Sequence, residues 1–183
     1  MGIENERKFV LDVRTPEKFL NSLKHQGHTS RELRQGYLND QTRIRQVTSA
    51  GEVLECLFTF KQPVNGKLVE VETAISLEDF NTLWVKVGKV INKVRVEVPH
   101  GDFVWEVDFF IEEASREYYL VMAEVEMPDG MEMPDTIPAF ITDHLLYLVP
   151  RTDKRFFNTQ LVQPALVRKT IKDLKDGSKL HTS

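Results

Sequence analysis

The sequence predicts an α+β protein built on eight antiparallel strands with a few helices packed against them. Three observations carry this. Period-2 alternation of apolar and polar residues runs through eight segments, at about 2–11, 31–39, 42–48, 53–61, 67–75, 89–98, 103–111 and 118–127. Short turn-rich links, N-D-Q at 39–41, S-A-G at 49–51, P-V-N-G at 63–66 and P-H-G-D at 99–102, join neighbouring segments as hairpins do. A few stretches break the alternation with helical spacing and recognisable start signals.

In chain order, the first strand carries Glu4, Glu6 and Lys8 on one face, with Ile3 and Phe9 on the other. Thr15 and Pro16 then open a helix that turns Phe19, Leu20 and Leu23 inward. The third strand places Arg43 and Arg45 on one face. The fourth sets Leu54, Cys56, Phe58 and Phe60 against Glu55, Thr59 and Lys61, and the fifth sets Val69, Val71 and Ile75 against Glu70 and Glu72. Ser76, with Asp79 three residues on, caps a helix through Phe80, Leu83, Trp84 and Val87 that ends near Gly88. In the sixth strand Val90, Val94, Val96 and Val98 oppose Lys93, Arg95 and Glu97. In the seventh Phe103, Trp105, Val107, Phe109 and Ile111 oppose Glu106 and Asp108, and in the eighth Tyr119, Val121, Ala123 and Val125 oppose Glu124 and Glu126.

Residues 126–135 read as a proline-broken loop, and 138–148 as a third helix carrying Phe140, Ile141, Leu145 and Leu146. Residues 1–163 are read as one domain, followed over 164–183 by a short helix and a flexible tail.

Composition narrows the function classes. The chain has 183 residues, enough for one sizeable core, and a net charge of −4 that gives no general signal for nucleic acid or a membrane surface. No apolar run approaches a membrane span, and the lone cysteine, Cys56, rules out an internal disulfide, so a cytoplasmic protein is expected. No G-x-x-x-x-G-K-[ST] loop is present, and the five histidines do not cluster.

The charge doublets remain. They are sorted by sign along each strand, whereas solvated faces mix signs because like neighbours repel. Either this parity faces water, or it lines the inside of a closed or nearly closed barrel. An inward face would hold acids Glu4, Glu6, Glu70, Glu72, Glu106, Asp108, Glu124 and Glu126 against bases Lys8, Arg43, Arg45, Lys61, Lys93 and Arg95. Enclosed charges need partners, and a metal–polyphosphate complex offers both signs. The pattern alone does not choose between inside and outside.

E-N-E-R-K at 4–8 resembles the E-x-E-x-K signature of the CYTH proteins, also called triphosphate tunnel metalloenzymes. R-I-R at 43–45, Lys61, V-E-V-E at 69–72, K-V-R at 93–95, W-E-V-D at 105–108, A-E-V-E at 123–126 and D-K-R-F-F-N at 153–158 follow in matching order, so the resemblance covers about residues 2–160. It implies an eight-stranded closed antiparallel barrel, or tunnel, with a charged interior and helices outside. It further implies Mg²⁺ or Mn²⁺ and a small triphosphate: tripolyphosphate, ATP or thiamine triphosphate. Lys8, Arg43, Arg45, Lys61, Lys93, Arg95 and Arg155 would bind the triphosphate. Glu4, Glu6, Asp108, Glu124 and Glu126 would hold metal, and Glu4, Glu6, Glu70 and Glu72 would serve catalysis.

The leading expectation is hydrolysis of tripolyphosphate to diphosphate and phosphate. The alternatives are a class IV-type adenylate cyclase, a thiamine or nucleoside triphosphatase, and a non-catalytic polyphosphate or nucleotide sensor. No nucleic-acid or membrane partner is expected, and a homodimer stays open.

Overall fold

The computed structural model describes residues 5–64 and 67–179. Nine strands form one antiparallel sheet: β1 (Glu6–Leu11), β2 (Thr29–Tyr37), β3 (Thr42–Ser49), β4 (Glu52–Val64), β5 (Lys67–Ile75), β6 (Lys89–His100), β7 (Phe103–Ile111), β8 (Tyr118–Glu126) and β9 (Leu145–Val149). Their order across the sheet is β5-β4-β3-β2-β6-β7-β8-β1-β9. The strand count therefore exceeds the expected eight. Among the described residues no backbone pairing joins the edge strands β5 and β9, so hydrogen bonds do not close the sheet.

Hairpins make most of the sheet, and their turns explain the registers. At the β3–β4 link both Ala50 and Gly51 have positive φ, 50° and 85°, the backbone of a primed two-residue turn. Elsewhere a helix does the linking. Helix α1 (Pro16–His25) connects β1 to β2, with Pro16 in its first turn. Helix α2 (Leu77–Trp84) connects β5 to β6, and the Ser76 hydroxyl oxygen accepts from Asp79 N at 3.0 Å. Gly36 of β2 lets the end of α2 approach, since a Cβ there would lie 2.6 Å from Val87 and 2.9 Å from Trp84.

Residues 138–148 are not one helix. A short α3 (Ala139–Thr142) stops, and Leu145–Val149 becomes β9, pairing antiparallel with β1. Phe140, Ile141, Leu145 and Leu146 do have helical spacing. Local periodicity lost to the open edge of β1, whose backbone groups would otherwise lack partners. After β9 come a 3₁₀ turn (Lys154–Phe156), α4 (Asn158–Leu161) and α5 (Pro164–Lys179).

The apolar parity of β1, β6, β7 and β8 forms the main core. Phe9, Val96, Trp105, Val107, Phe109 and Ala123 are buried there beneath Leu20 and Leu23 of α1 and Ile141 of α3. Helix α2 covers Ile44 and Cys56 with Phe80. Helices do not cover the rest of β4 and β5: Leu54 and Val71 are 55% and 56% exposed.

A third cluster lies on the opposite parity. Val10, Ile91, Phe110, Leu120 and Met122 share strand faces with Lys8, Lys93, Asp108 and Glu124, and they pack with Phe156, Leu161 and Val167 of the C-terminal segment. The charged face of the sheet is therefore apolar at one end, and the 3₁₀ turn, α4 and α5 seal that end. Among the described residues no helix is long and apolar enough to cross a membrane.

Candidate functional site: an ionic cavity on the concave face

Side chains from β1, β3, β4, β5, β6, β7 and β8 meet around a single cavity of about 330 Å³, so the sheet curls with its charged parity inside. Six carboxylates line it, those of Glu6, Glu70, Glu72, Glu106, Glu124 and Glu126, with four cations from Arg43, Arg45, Lys61 and Arg95 and with Val104 and Asn158.

Two ionic networks face each other across this cavity. On the β1–β8–β7–β6 side, Arg95 donates to both oxygens of the fully buried Asp108, Nε to Oδ1 at 2.7 Å and Nη2 to Oδ2 at 2.7 Å. The Lys93 ammonium donates to the same carboxylate. Arg95 also pairs with Glu106, and with Glu124 at 3.4 Å. Lys8 Nζ lies 2.7 Å from Glu124 Oε1 and 2.9 Å from Glu6 Oε1. On the β3–β4–β5 side, Arg43 Nη2 lies 3.3 Å from Glu70 and 3.7 Å from Glu72, and Lys61 Nζ lies 2.9 Å from Glu70. Thr59 Oγ1 donates to Glu72 at 2.6 Å.

Arg45 stands between the networks. Its Nε donates to Gln35 Oε1 at 3.4 Å, and Gln35 in turn donates to the Tyr37 hydroxyl at 2.6 Å. Burial, then repulsion from Arg43 and Arg95, pulls Arg45 down to about 10, so it stays charged at neutral pH at an electrostatic cost.

The other shifts follow the same geometry. Against the cost of burial, Lys8, Lys93 and Arg95 hold Glu124 well below the carboxylate range. Burial, with Asp108 and Glu124 adding to it against the pull of Arg95, raises Glu106. Burial, then Arg95, lowers Lys93 to about 8 despite Asp108 and Glu124.

For Lys93 this has a sign that can be tested. Its folded pKa is lowered, so between about pH 8 and 10 the unfolded chain binds more protons than the folded one, and stability rises with pH there. Chemical unfolding at pH 7.5 and 9.5 should show the protein gaining about 1–2 kcal/mol relative to a Lys93→Met variant. An identical pH response in both proteins would remove Lys93 as the source.

Among the residues singled out from sequence, the cavity gathers Glu6, Arg43, Arg45, Lys61, Glu70, Glu72, Arg95, Glu124 and Glu126. Lys8, Lys93 and Asp108 lie in the ion-pair layer that supports it. Glu4 lies outside the described residues. Arg155 is not brought to the cavity: its side chain is half exposed and its Nη2 lies 2.7 Å from Asp153 Oδ2. Sequence reasoning gave no role to Asn158 or Gln35. Asn158 ends the D-K-R-F-F-N stretch, and Gln35 shares the inward parity of β2, which was the available signal.

A hard divalent cation suits the donor set. The carboxylates of Glu6 and Glu126 face each other across β1 and β8, as do those of Glu106 and Glu124 across β7 and β8, and all four reach the cavity. Oxygen donors of this kind hold Mg²⁺ or Mn²⁺. Glu106, raised by burial with Asp108 and Glu124 adding to it, is a carboxylate that added positive charge would stabilise. Among the described residues no three acidic, histidine or cysteine side chains already form a closed ligand cluster.

A curled antiparallel sheet whose concave face carries both signs of charge in its wall is suited to holding a polyanion together with a cation. The chain is 27% identical over 173 residues to a curated inorganic triphosphatase of Acetivibrio thermocellus, covering 89% of this chain and 95% of that protein. That similarity spans the same ordered motifs, from E-N-E-R-K to D-K-R-F-F-N, that resemble those of the CYTH, or triphosphate tunnel, proteins. No protein-family model matches. Among solved structures, a Bacillus halodurans protein described as a "putative adenylate cyclase" superposes with a TM-score of 0.46 at 16% identity, over 68% of this chain and 80% of that one. A chain of the Schizosaccharomyces pombe Mediator head module gives 0.48 at 11% identity, over 72% and 85%. Both scores lie below the level that marks a shared fold.

Proposed function

We propose that this protein hydrolyses a small triphosphate, foremost inorganic tripolyphosphate to diphosphate and phosphate, in a reaction that depends on Mg²⁺ or Mn²⁺. One observation carries the reading: a single cavity whose wall is almost entirely carboxylates and guanidinium or ammonium groups, in a chain similar to an inorganic triphosphatase over nearly its whole length.

Arg43, Arg45, Lys61 and Arg95 hold the phosphate oxygens, the arginines through paired N–H donors, with Lys8 and Lys93 adding positive charge from beneath. Glu6, Glu106, Glu124 and Glu126, together with Glu4, would hold the cation, which when bound supplies charge neutralisation and a more acidic water. Asp108 keeps Lys93 and Arg95 in place. Glu70 and Glu72 orient the attacking water and take its proton as its oxygen bonds to the terminal phosphorus. The bond to the bridging oxygen breaks, and the diphosphate leaves with the electron pair, stabilised by the surrounding cations. In the working form the segment after β9 completes the wall between β9 and β5, making the tunnel. The catalytic unit is residues 1–163, acting in the cytoplasm.

Purified protein is incubated with tripolyphosphate, ATP and thiamine triphosphate, with each metal, and the products are identified. Phosphate and diphosphate from tripolyphosphate are expected, with turnover reduced roughly 10²–10³-fold in Glu6→Gln. Cyclic AMP formed from ATP would replace this reading by a cyclase, and full activity in Glu6→Gln would remove Glu6 from the site.

A further inference from the structure

The two acids of V-E-V-E on β5 are held in different ways, although both line the ionic cavity. Glu70 lies opposite Lys61 across β4 and β5, and cations engage both of its oxygens. Arg43 Nη2 lies 3.3 Å from Oε1, and Lys61 Nζ lies 2.9 Å from Oε2. Glu72 lies opposite Thr59, so β4 sets a neutral donor there and a lysine at its next inward position. The Thr59 hydroxyl donates to Glu72 Oε2 at 2.6 Å, and Arg43 reaches the same oxygen only at 3.7 Å. Both contacts fall on Oε2, which leaves Oε1 to meet a water. The Glu72 side chain is also the more open of the two, 35% exposed against 19%.

Thr59 is itself fully buried, between Arg43 on β3 and Glu72 on β5. A lysine in its place would tie up Glu72 as Lys61 ties up Glu70, and a valine would let Glu72 close on Arg43. Cations bound to a carboxylate stabilise its charged form and weaken it as a proton acceptor. A single bond from a neutral hydroxyl orients the group at a smaller loss of basicity.

We propose that Glu72 alone is the proton acceptor of the hydrolysis, that Glu70 is a fixed counter-ion for Arg43 and Lys61, and that Thr59 is the positioning residue that keeps Glu72 for that task. The proposal rests on the triphosphatase reading and narrows it from two acids to one. As the water oxygen bonds to the terminal phosphorus, the water's proton passes to Glu72 Oε1. The bond to the bridging oxygen breaks, and diphosphate leaves with the electron pair. Thr59 acts only through Glu72.

The test is steady-state turnover of tripolyphosphate at saturating Mg²⁺ and, separately, Mn²⁺, beginning with the unmodified protein. Absence of turnover there would overturn the triphosphatase reading itself, and would be seen before any variant is made. Thr59→Val keeps the shape and removes the hydroxyl. In it kcat should fall about tenfold with KM within about twofold, and Thr59→Ser should restore kcat to within about threefold. Glu72→Gln should lower kcat about 10²-fold, and Glu70→Gln less than about tenfold. Adding Thr59→Val to Glu72→Gln should cost nothing further, since the hydroxyl then has no base to position. An unchanged kcat in Thr59→Val overturns the proposal. So does a further loss of about tenfold in the Glu72→Gln background, the mark of a merely structural hydroxyl. Equal losses in Glu70→Gln and Glu72→Gln overturn the division of roles.

Discussion

Arg45→Gln is expected to lower kcat/KM for tripolyphosphate about 10²–10³-fold while leaving the protein as stable as before or more so. Most bases of the site have close carboxylate partners: Arg95 has Asp108, Lys8 has Glu124, and Arg43 and Lys61 share Glu70. Arg45 has one long bond to a neutral amide and is lowered to about 10 by burial and by two neighbouring guanidiniums. Buried, with Arg43 and Arg95 beside it, that charge is a net cost to folding. A bound polyanion reverses that, because it sets negative charge beside Arg45, whose Nε bond goes to a neutral amide. Activity and stability should therefore move in opposite directions, a pattern typical of groups kept for function. Thermal melts beside steady-state kinetics decide it. A large loss of melting temperature in Arg45→Gln, or unchanged kcat/KM, would show that Arg45 is a structural cation.

The strands were legible because a half-buried strand writes its faces at period 2, and the sign-sorted doublets marked which parity carries chemistry. Glu6 with Lys8, Arg43 with Arg45 and Glu70 with Glu72 are read directly from spacing. What spacing alone could not supply was the side of the sheet. That depended on the family resemblance, and the curl of the sheet now shows it as convergence on one cavity. The pairing network was also hidden. Lys8 meets Glu124 across 116 residues, and only the β1–β8 register brings them together.

β9 escaped because L-L-Y-L-V is apolar throughout, and a short apolar run does not distinguish helix from strand until an edge is available to pair with it. The C-terminal segment escaped for a related reason. Val10 after Lys8, Ile91 before Lys93, Phe110 after Asp108 and Met122 before Glu124 lie on the charged parity, so the inward face changes from ionic to apolar along each strand. That change was present in the sequence. Its meaning, an end sealed by Phe156, Leu161 and Val167, required knowing where a segment over 30 residues from the nearest of those strand positions folds back.

Asp108→Asn should be the most destabilising conservative change in the site, costing about 3–5 kcal/mol and on the order of 10 °C in melting temperature. The side chain is fully buried, and the substitution keeps its shape while removing the charge that Lys93 and Arg95 both engage. Those two cations would then face each other and Arg45 with only Glu106 and Glu124 nearby. Lys93 is already lowered to about 8, so losing Asp108 should drive it toward the neutral amine, which limits the penalty at high pH and not at low pH. Stability of the variant should accordingly rise from pH 6 to pH 8.5 more steeply than that of the unmodified protein. A second change, Lys93→Met, should recover part of the loss by removing the stranded ammonium, and the two substitutions should be strongly non-additive. Tripolyphosphate should also raise the melting temperature of Asp108→Asn more than that of the unmodified protein, because bound phosphate replaces missing negative charge near Arg95. A loss below about 1 kcal/mol, or additive behaviour of the pair, would mean that Asp108 is not the anchor of the basic wall.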